Sequence, residues 1–146
     1  MAGGDGRSAV RGAARGAIGA MSMSGLRQAT TALGMIGRTP PQSILERTAP
    51  GLLRRVPPER RPALLEAVHC AVGAAGGLAF GALPRRVRRM PWAGPLYGVL
   101  FWAGFQALLA PALGIHREHH GTAPQLAELA DHILYGTVVG VVPVEE

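Results

Sequence analysis

Apolar and small residues gather into four long stretches along this chain, separated by segments dense in Arg and Pro. The second stretch, Leu64 to Leu83 (LLEAVHCAVGAAGGLAFGAL), is the plainest. At 1.5 Å per residue, a helix of that length covers about 30 Å, the thickness of a bilayer's hydrocarbon core. The third, Trp92 to Gly114 (WAGPLYGVLFWAGFQALLAPALG), is like the second in being apolar all round rather than along one stripe. That pattern marks a helix enclosed by apolar surroundings. The first runs from Gly12 to Gly37, interrupted by Arg15 and Arg27, and the last from Pro124 to Val142, carrying Glu128, Asp131 and His132. The pattern predicts an all-α protein, a four-helix transmembrane bundle with helices over 12–37, 63–83, 92–114 and 124–142. A membrane domain over 12–143 then follows a disordered, Gly-rich N-terminus over 1–11. A water-soluble four-helix protein is the competing architecture, and a cleavable signal peptide is the competing reading of the first stretch.

The connecting segments support this division. Arg38 to Pro62 holds six Arg and six Pro, too polar to insert and too interrupted for one long helix. Within it, Ser43 to Arg55 either lies on the bilayer surface or is an ordinary loop. Pro84 and the cluster Arg85, Arg86, Arg88, Arg89 stop the second helix. Trp92 and Tyr97 sit where interface anchors belong, Pro95 is tolerable in a first turn, and Pro111 should kink the third helix by releasing the carbonyl of Ala107. His116, His119 and His120 fall in a short polar turn and read as solvated loop residues.

Composition changes the picture little. All fifteen basic residues are Arg, and with 21 Gly this is the bias of a GC-rich genome, so the net charge of +6 is poor evidence for nucleic acid as a partner. A nucleic-acid binder clusters charge along a helix or interleaves it with aromatics, whereas these Arg residues lie between apolar runs. The lone Cys70 cannot form an internal disulfide. Arg counts on the two sides of the expected membrane tie, and the tight four-Arg loop favours both termini in the cytoplasm.

The candidate chemistry lies in the spans. Neither side of Arg27 is long enough to cross alone, so a spanning first helix buries it. Counted from the side carrying the first and third loops, Arg27 lies about 15 Å deep, Glu66 about 5 Å, Glu128 about 7 Å, His69 about 10 Å, Gln106 and Asp131 about 12 Å and His132 about 13 Å. Polar groups at such depths face one another rather than lipid. Arg27 is therefore expected to pair with Asp131 or Glu66, and a carboxylate left over to pair with a histidine or stay uncharged. Gly73, Gly77 and Gly81, with Gly136 and Gly140, have the small-xxx-small spacing that admits another helix, within this chain or in a further copy of it.

Glu66-x-x-His69 matches half of a helical di-iron motif, but that site needs the unit twice and a lone Glu on two more helices. Glu128 with His132 makes a mononuclear site conceivable, yet the reading is that no metal and no cofactor is held. Two functional classes stay open. One is a non-enzymatic structural or accessory membrane protein whose polar layer fixes packing; the other is a small proton-coupled transporter or channel subunit that uses Arg27, Glu66, His69, Gln106, Glu128, Asp131 and His132 to bind or relay. A cavity reaching these residues from one face favours the second, and a dry, fully paired cluster the first.

Over roughly Ala67 to Gly140 the chain resembles the YagU-like family of small bacterial inner-membrane proteins. The resemblance rests on His69 in a Gly-rich helix, Trp92, Gly94 and Gly98 in the next, Pro111 with Gly114 closing it, and Glu128 with His132 in the last. It implies a multi-pass protein of the bacterial inner membrane and brings no catalytic residues. The loop after the first helix is shorter than the family's.

Overall fold

The computed structural model describes residues 3–33, 45–114 and 122–141. Among them every regular element is helical. In chain order these are α1 (Gly3–Ala32), α2 (Pro50–Arg55), a 3-10 turn (Pro58–Arg60), α3 (Arg61–Ala82), α4 (Arg85–Arg88), α5 (Ala93–Gly104), a π-helical turn (Phe105–Leu109), α6 (Ala110–Ala112) and α7 (Thr122–Gly140). Pro58–Ala82 and Ala93–Ala112 are long and apolar enough to cross a membrane.

The first helix differs from its sequence reading. It begins at Gly3, inside the segment expected to be disordered, and reaches Ala32, a length of about 45 Å. Residues 34–37, the end of the expected first helix, lie outside the described residues, as do His116, His119 and His120. Glycine costs a helix about 0.5–1 kcal/mol relative to alanine, so a Gly-rich N-terminus does not hold this conformation by propensity. Tertiary contact holds it. The backbone of Ser8 and Ala9 packs on Gly81, and Arg88 Nη2 donates to Ser8 Oγ at 3.3 Å while its Nε donates to the Leu83 carbonyl at 2.9 Å. One arginine thus ties the start of α1 to the end of α3.

α1 and α3 run antiparallel with their backbones in contact. Ser8 faces Gly81, Gly12 faces Gly77, Gly16 faces Gly73, and Ser24 reaches Glu66 further along. A Cβ on Gly12 or Gly77 would strike the other's carbonyl oxygen, so no larger residue fits without moving a helix. α5 and α7 repeat the device: Gly94 lies on Gly136 and Gly140, and Gly98 on the His132 carbonyl and Gly136. In an apolar surrounding such helix pairs are held by close van der Waals contact and by Cα–H···O contacts, which bulkier side chains would prevent. The glycine ladders read from sequence are therefore occupied within the chain. α7 joins the two pairs by lying against α1, with the Tyr135 ring on Gly19.

Proline sets the remaining irregularities. Pro62 sits in the first turn of α3, where its missing N–H is harmless. Leu83, ahead of Pro84, is driven into extended backbone and ends that helix. Pro111 cannot donate to Ala107, and the expected disturbance takes the form of the π-helical turn, in which the Ala110 N–H reaches the Phe105 carbonyl. Gly114, at φ +62°, closes the run in the left-handed conformation that glycine adopts without strain.

Many large apolar side chains are left uncovered while two charged ones are buried. Large apolar side chains point outward along the long helices, including Ile18, Leu78, Leu96, Leu108 and Leu126, and Leu100 is 60% exposed. The buried apolar cluster is small: Met23, Phe80, Ala93, Tyr135 and Val139. Beside it are buried Arg27 and Asp131.

Candidate polar site between the helices

The site is built from the glycine register. Once Gly16 lies on Gly73, the next turns of α1 and α3 bring Ser24 opposite Glu66 and Arg27 beside His69; once Gly98 lies on Gly136, Gln106 comes opposite Glu128. Side chains thick enough to part the helices begin only beyond the glycines. The polar groups therefore occupy the half of the structure at the α1 C-terminal end, and the backbone-to-backbone half lies below them.

Arg27 Nη2 is 3.3 Å from Asp131 Oδ2, with the two residues 9% and 1% exposed. Of the two partners expected for Arg27, Asp131 is the one it contacts. Glu66 instead accepts from the Ser24 hydroxyl, at 2.9 Å on one oxygen and 2.8 Å on the other, and lies 3.6 Å from the Cys70 thiol. Glu128 accepts from Gln106 Nε2 at 2.8 Å. Glu66 and Glu128 are thus served by a hydroxyl and an amide, where the sequence reading expects a leftover carboxylate to pair with a histidine or stay uncharged. His132 Nδ1 lies 2.7 Å from the Glu128 carbonyl, which can only accept, so that nitrogen donates and Nε2 is left as the acceptor.

Beneath this layer is an aromatic floor. Tyr135 donates its hydroxyl to the Gly73 carbonyl at 2.6 Å, and Tyr97 donates to the Gly76 carbonyl at 2.7 Å. Phe101 stacks on Tyr135 at 5.7 Å, and Phe80 meets Tyr97 edge-on at 5.1 Å. Glycine at position 76 leaves room for the Tyr135 bond, because a Cβ there would meet the Tyr135 hydroxyl and the Phe101 ring.

Among the described residues, two cavities reach the polar layer. An outer cleft of about 510 Å³ opens between the α1 C-terminal and α3 N-terminal turns, lined by Ser24, Arg27, Gln28, Leu65, Glu66 and His69 among others. An inner chamber of about 80 Å³ is lined mainly by apolar groups, with Arg27, His69, Trp102, Gln106, Glu128 and His132 supplying its polar atoms. Arg27 and His69 border both. Two buried nitrogens, His69 Nε2 and Trp102 Nε1, have no hydrogen-bond partner among the described residues.

Of the candidates read from sequence, Arg27, His69, Gln106, Glu128 and His132 share the inner chamber, Glu66 lies in the outer cleft, and Asp131 anchors Arg27 from the side. Sequence reasoning missed Ser24, Trp102 and Tyr135. Extending the Gly16–Gly73 register by two turns would have found Ser24; extending Gly98–Gly136 by one would have found Trp102 near His132. Among the described residues no three of His, Cys, Asp or Glu come together as a metal site would require. Compared with known protein families, with curated proteins and with solved structures, the chain matches none.

Proposed function

We propose that this is a polytopic integral membrane protein in which all four long helical runs span the bilayer, and that it serves as a structural or accessory component rather than as an enzyme. The observation that carries the reading is the placement of polarity: Arg27 and Asp131 inside, and large apolar side chains outside. Water would reward the opposite arrangement, because apolar surface left exposed forgoes about 25 cal/mol per Å² of burial. Lipid rewards this one, since an Arg or Asp turned outward within a span carries a cost that reaches roughly 2.5 to 3.5 kcal/mol at its centre on insertion scales.

α1 and α7 are less apolar than α3 and α5, but each lies along one of them. α1 contacts α3 from Ser8–Gly81 to Ser24–Glu66, and α7 contacts α5 from Gly140–Gly94 to Glu128–Gln106. If α3 and α5 span, their partners span with them. Trp92, exposed at the start of α5, then lies at headgroup level beside the four-Arg segment.

A second reading, a small proton-coupled transporter or channel subunit, is favoured by one observation. The outer cleft leads to Arg27 and His69 from a single face, and the polar layer beyond it is not fully paired. Conduction through one protomer would have to pass the glycine-packed half, where the backbones touch, so it would call for an assembly of several copies.

The test of the membrane reading is fractionation of cells expressing the full chain. The protein is expected in the membrane pellet after an alkaline carbonate wash and to need detergent for extraction. Recovery as a monodisperse protein from the soluble fraction would reject it.

A further inference from the structure

The outer cleft and the inner chamber meet at Arg27 and His69, and no other described residue lines both. We propose that the inner chamber is hydrated and that its water enters from the outer cleft past His69, forming a half-channel open on the α1 C-terminal side only. The inference rests on the membrane reading, since in a water-soluble protein a hydrated internal site would carry no such direction.

Independent observations converge on the chamber. His69 Nε2 and Trp102 Nε1 are buried without a partner among the described residues, and both residues line it. An indole N–H can only donate, and a buried donor left unmet costs about 1–3 kcal/mol. The described residues supply no acceptor there, and a water in the chamber would. At about 30 Å³ of liquid volume per molecule, a chamber of about 80 Å³ takes two or three waters and is too small for most organic solutes. A buried water needs two to four polar partners, and Arg27, His69, Trp102, Gln106, Glu128 and His132 are the polar residues that, with Tyr135, line the chamber. The π-helical turn forms part of the same wall: Phe105 and Gln106, its first two residues, both line the chamber. Such widened turns recur at functional sites in helices.

The far side is closed. Tyr135 and Phe101 form the floor, with Tyr135 bonded to the Gly73 carbonyl, and below them the helix backbones are in contact. Water entering from the cleft would come within reach of Glu128 and His132, the titratable groups on the inner wall, and go no further. That geometry exposes both groups to one side of the membrane and not to the other.

Two methionines make a matched pair of probes. Met21 and Met23 lie two residues apart on α1, at nearly the same depth, but Met21 is 60% exposed on the outer surface and Met23 is 4% exposed against the chamber. Brief X-ray radiolysis of the full chain in lipid vesicles makes hydroxyl radicals from whatever water is present, and mass spectrometry reads the oxidised Met and Trp. Met23 and Trp102 are expected to oxidise several-fold faster than Met21, reversing the order of their exposures. His69→Phe, which narrows the neck, should lower the Met23 and Trp102 rates several-fold and leave Met21 unchanged. Ser24→Trp, which fills the cleft ahead of His69, should do the same and serves if the first variant does not reconstitute. Met23 and Trp102 as unreactive as Met21 would mean a dry chamber and overturn the proposal. Wild-type rates unaffected by either variant would overturn entry past His69. Faster oxidation of Met21 than of Met23 would instead reject the membrane reading.

Discussion

Arg27 Nη2 lies 3.3 Å from Asp131 Oδ2 and joins the first long helix to the last, across 104 residues of sequence. The contact is buried, and among the described residues Asp131 meets no other cation. Replacing Arg27 with Leu leaves that carboxylate uncompensated, which should destabilise the protein by about 3–5 kcal/mol. Replacing both, as Arg27→Leu with Asp131→Leu, should recover much of the loss, because the pair's value is offset by the cost of taking two charges out of solvent. Thermal unfolding in detergent of the singles and the double measures it. Strictly additive losses would mean that the two side chains do not act together.

Glycine substitutions should divide sharply by position. A Cβ on Gly77 or Gly98 meets a carbonyl oxygen of the facing helix, whereas one on Gly25 meets nothing within 4 Å. Gly77→Ala and Gly98→Ala should each cost about 1–3 kcal/mol, the usual penalty for overpacking a close contact. Gly25→Ala should be neutral or stabilise by up to about 1 kcal/mol through helix propensity. Melting temperatures of the three variants, compared side by side, check the helix register directly.

The tyrosine hydroxyls offer a finer probe of the floor. Tyr135→Phe removes the bond to the Gly73 carbonyl and Tyr97→Phe the bond to the Gly76 carbonyl, while each keeps its ring contacts. Each should lower stability by about 0.5–1.5 kcal/mol, the net worth of one hydrogen bond. Tyr135→Ala, which also removes a buried ring, should cost about 3–5 kcal/mol by the measure of other large-to-small core changes. Denaturation of the three variants in the same detergent would separate hydroxyl from ring.

Much of this arrangement is legible in the sequence because apolar length and glycine spacing are strong signals. α3, α5 with its continuation, and α7 start and stop within about three residues of their sequence reading, a margin typical of helix ends. α1 is not, because residues 3–11 carry no apolar pattern and are helical through Gly81 and Arg88, which lie far off in sequence. Arg27, expected about 15 Å from the end of its helix, is five residues from Ala32, where α1 ends. In the structure it sits near the α1 C-terminal end, bordering a cleft shared with Pro62, and its long side chain makes the reach to Asp131. The ladders announced close packing but not their partners; only the register between helices shows that Ser24, not a histidine, serves Glu66. Pro111 foretold a break in hydrogen bonding, and its form as a π-helical turn depends on the contacts of Phe105 and Gln106.

The claim that all four helical runs span a bilayer is most exposed at α1 and α7, whose sequences are less apolar than those of α3 and α5. Spin labels at Ile18→Cys on α1 and Ile133→Cys on α7, with Leu100→Cys on α5 as reference and Cys70→Ala as background, test it in lipid vesicles. All three positions point outward. The account predicts that each label collides freely with oxygen and is shielded from a water-soluble nickel chelate, to the same degree as at Leu100. Ready collision with the chelate at Ile18 or Ile133, while Leu100 stays shielded, would contradict it by putting that helix in water.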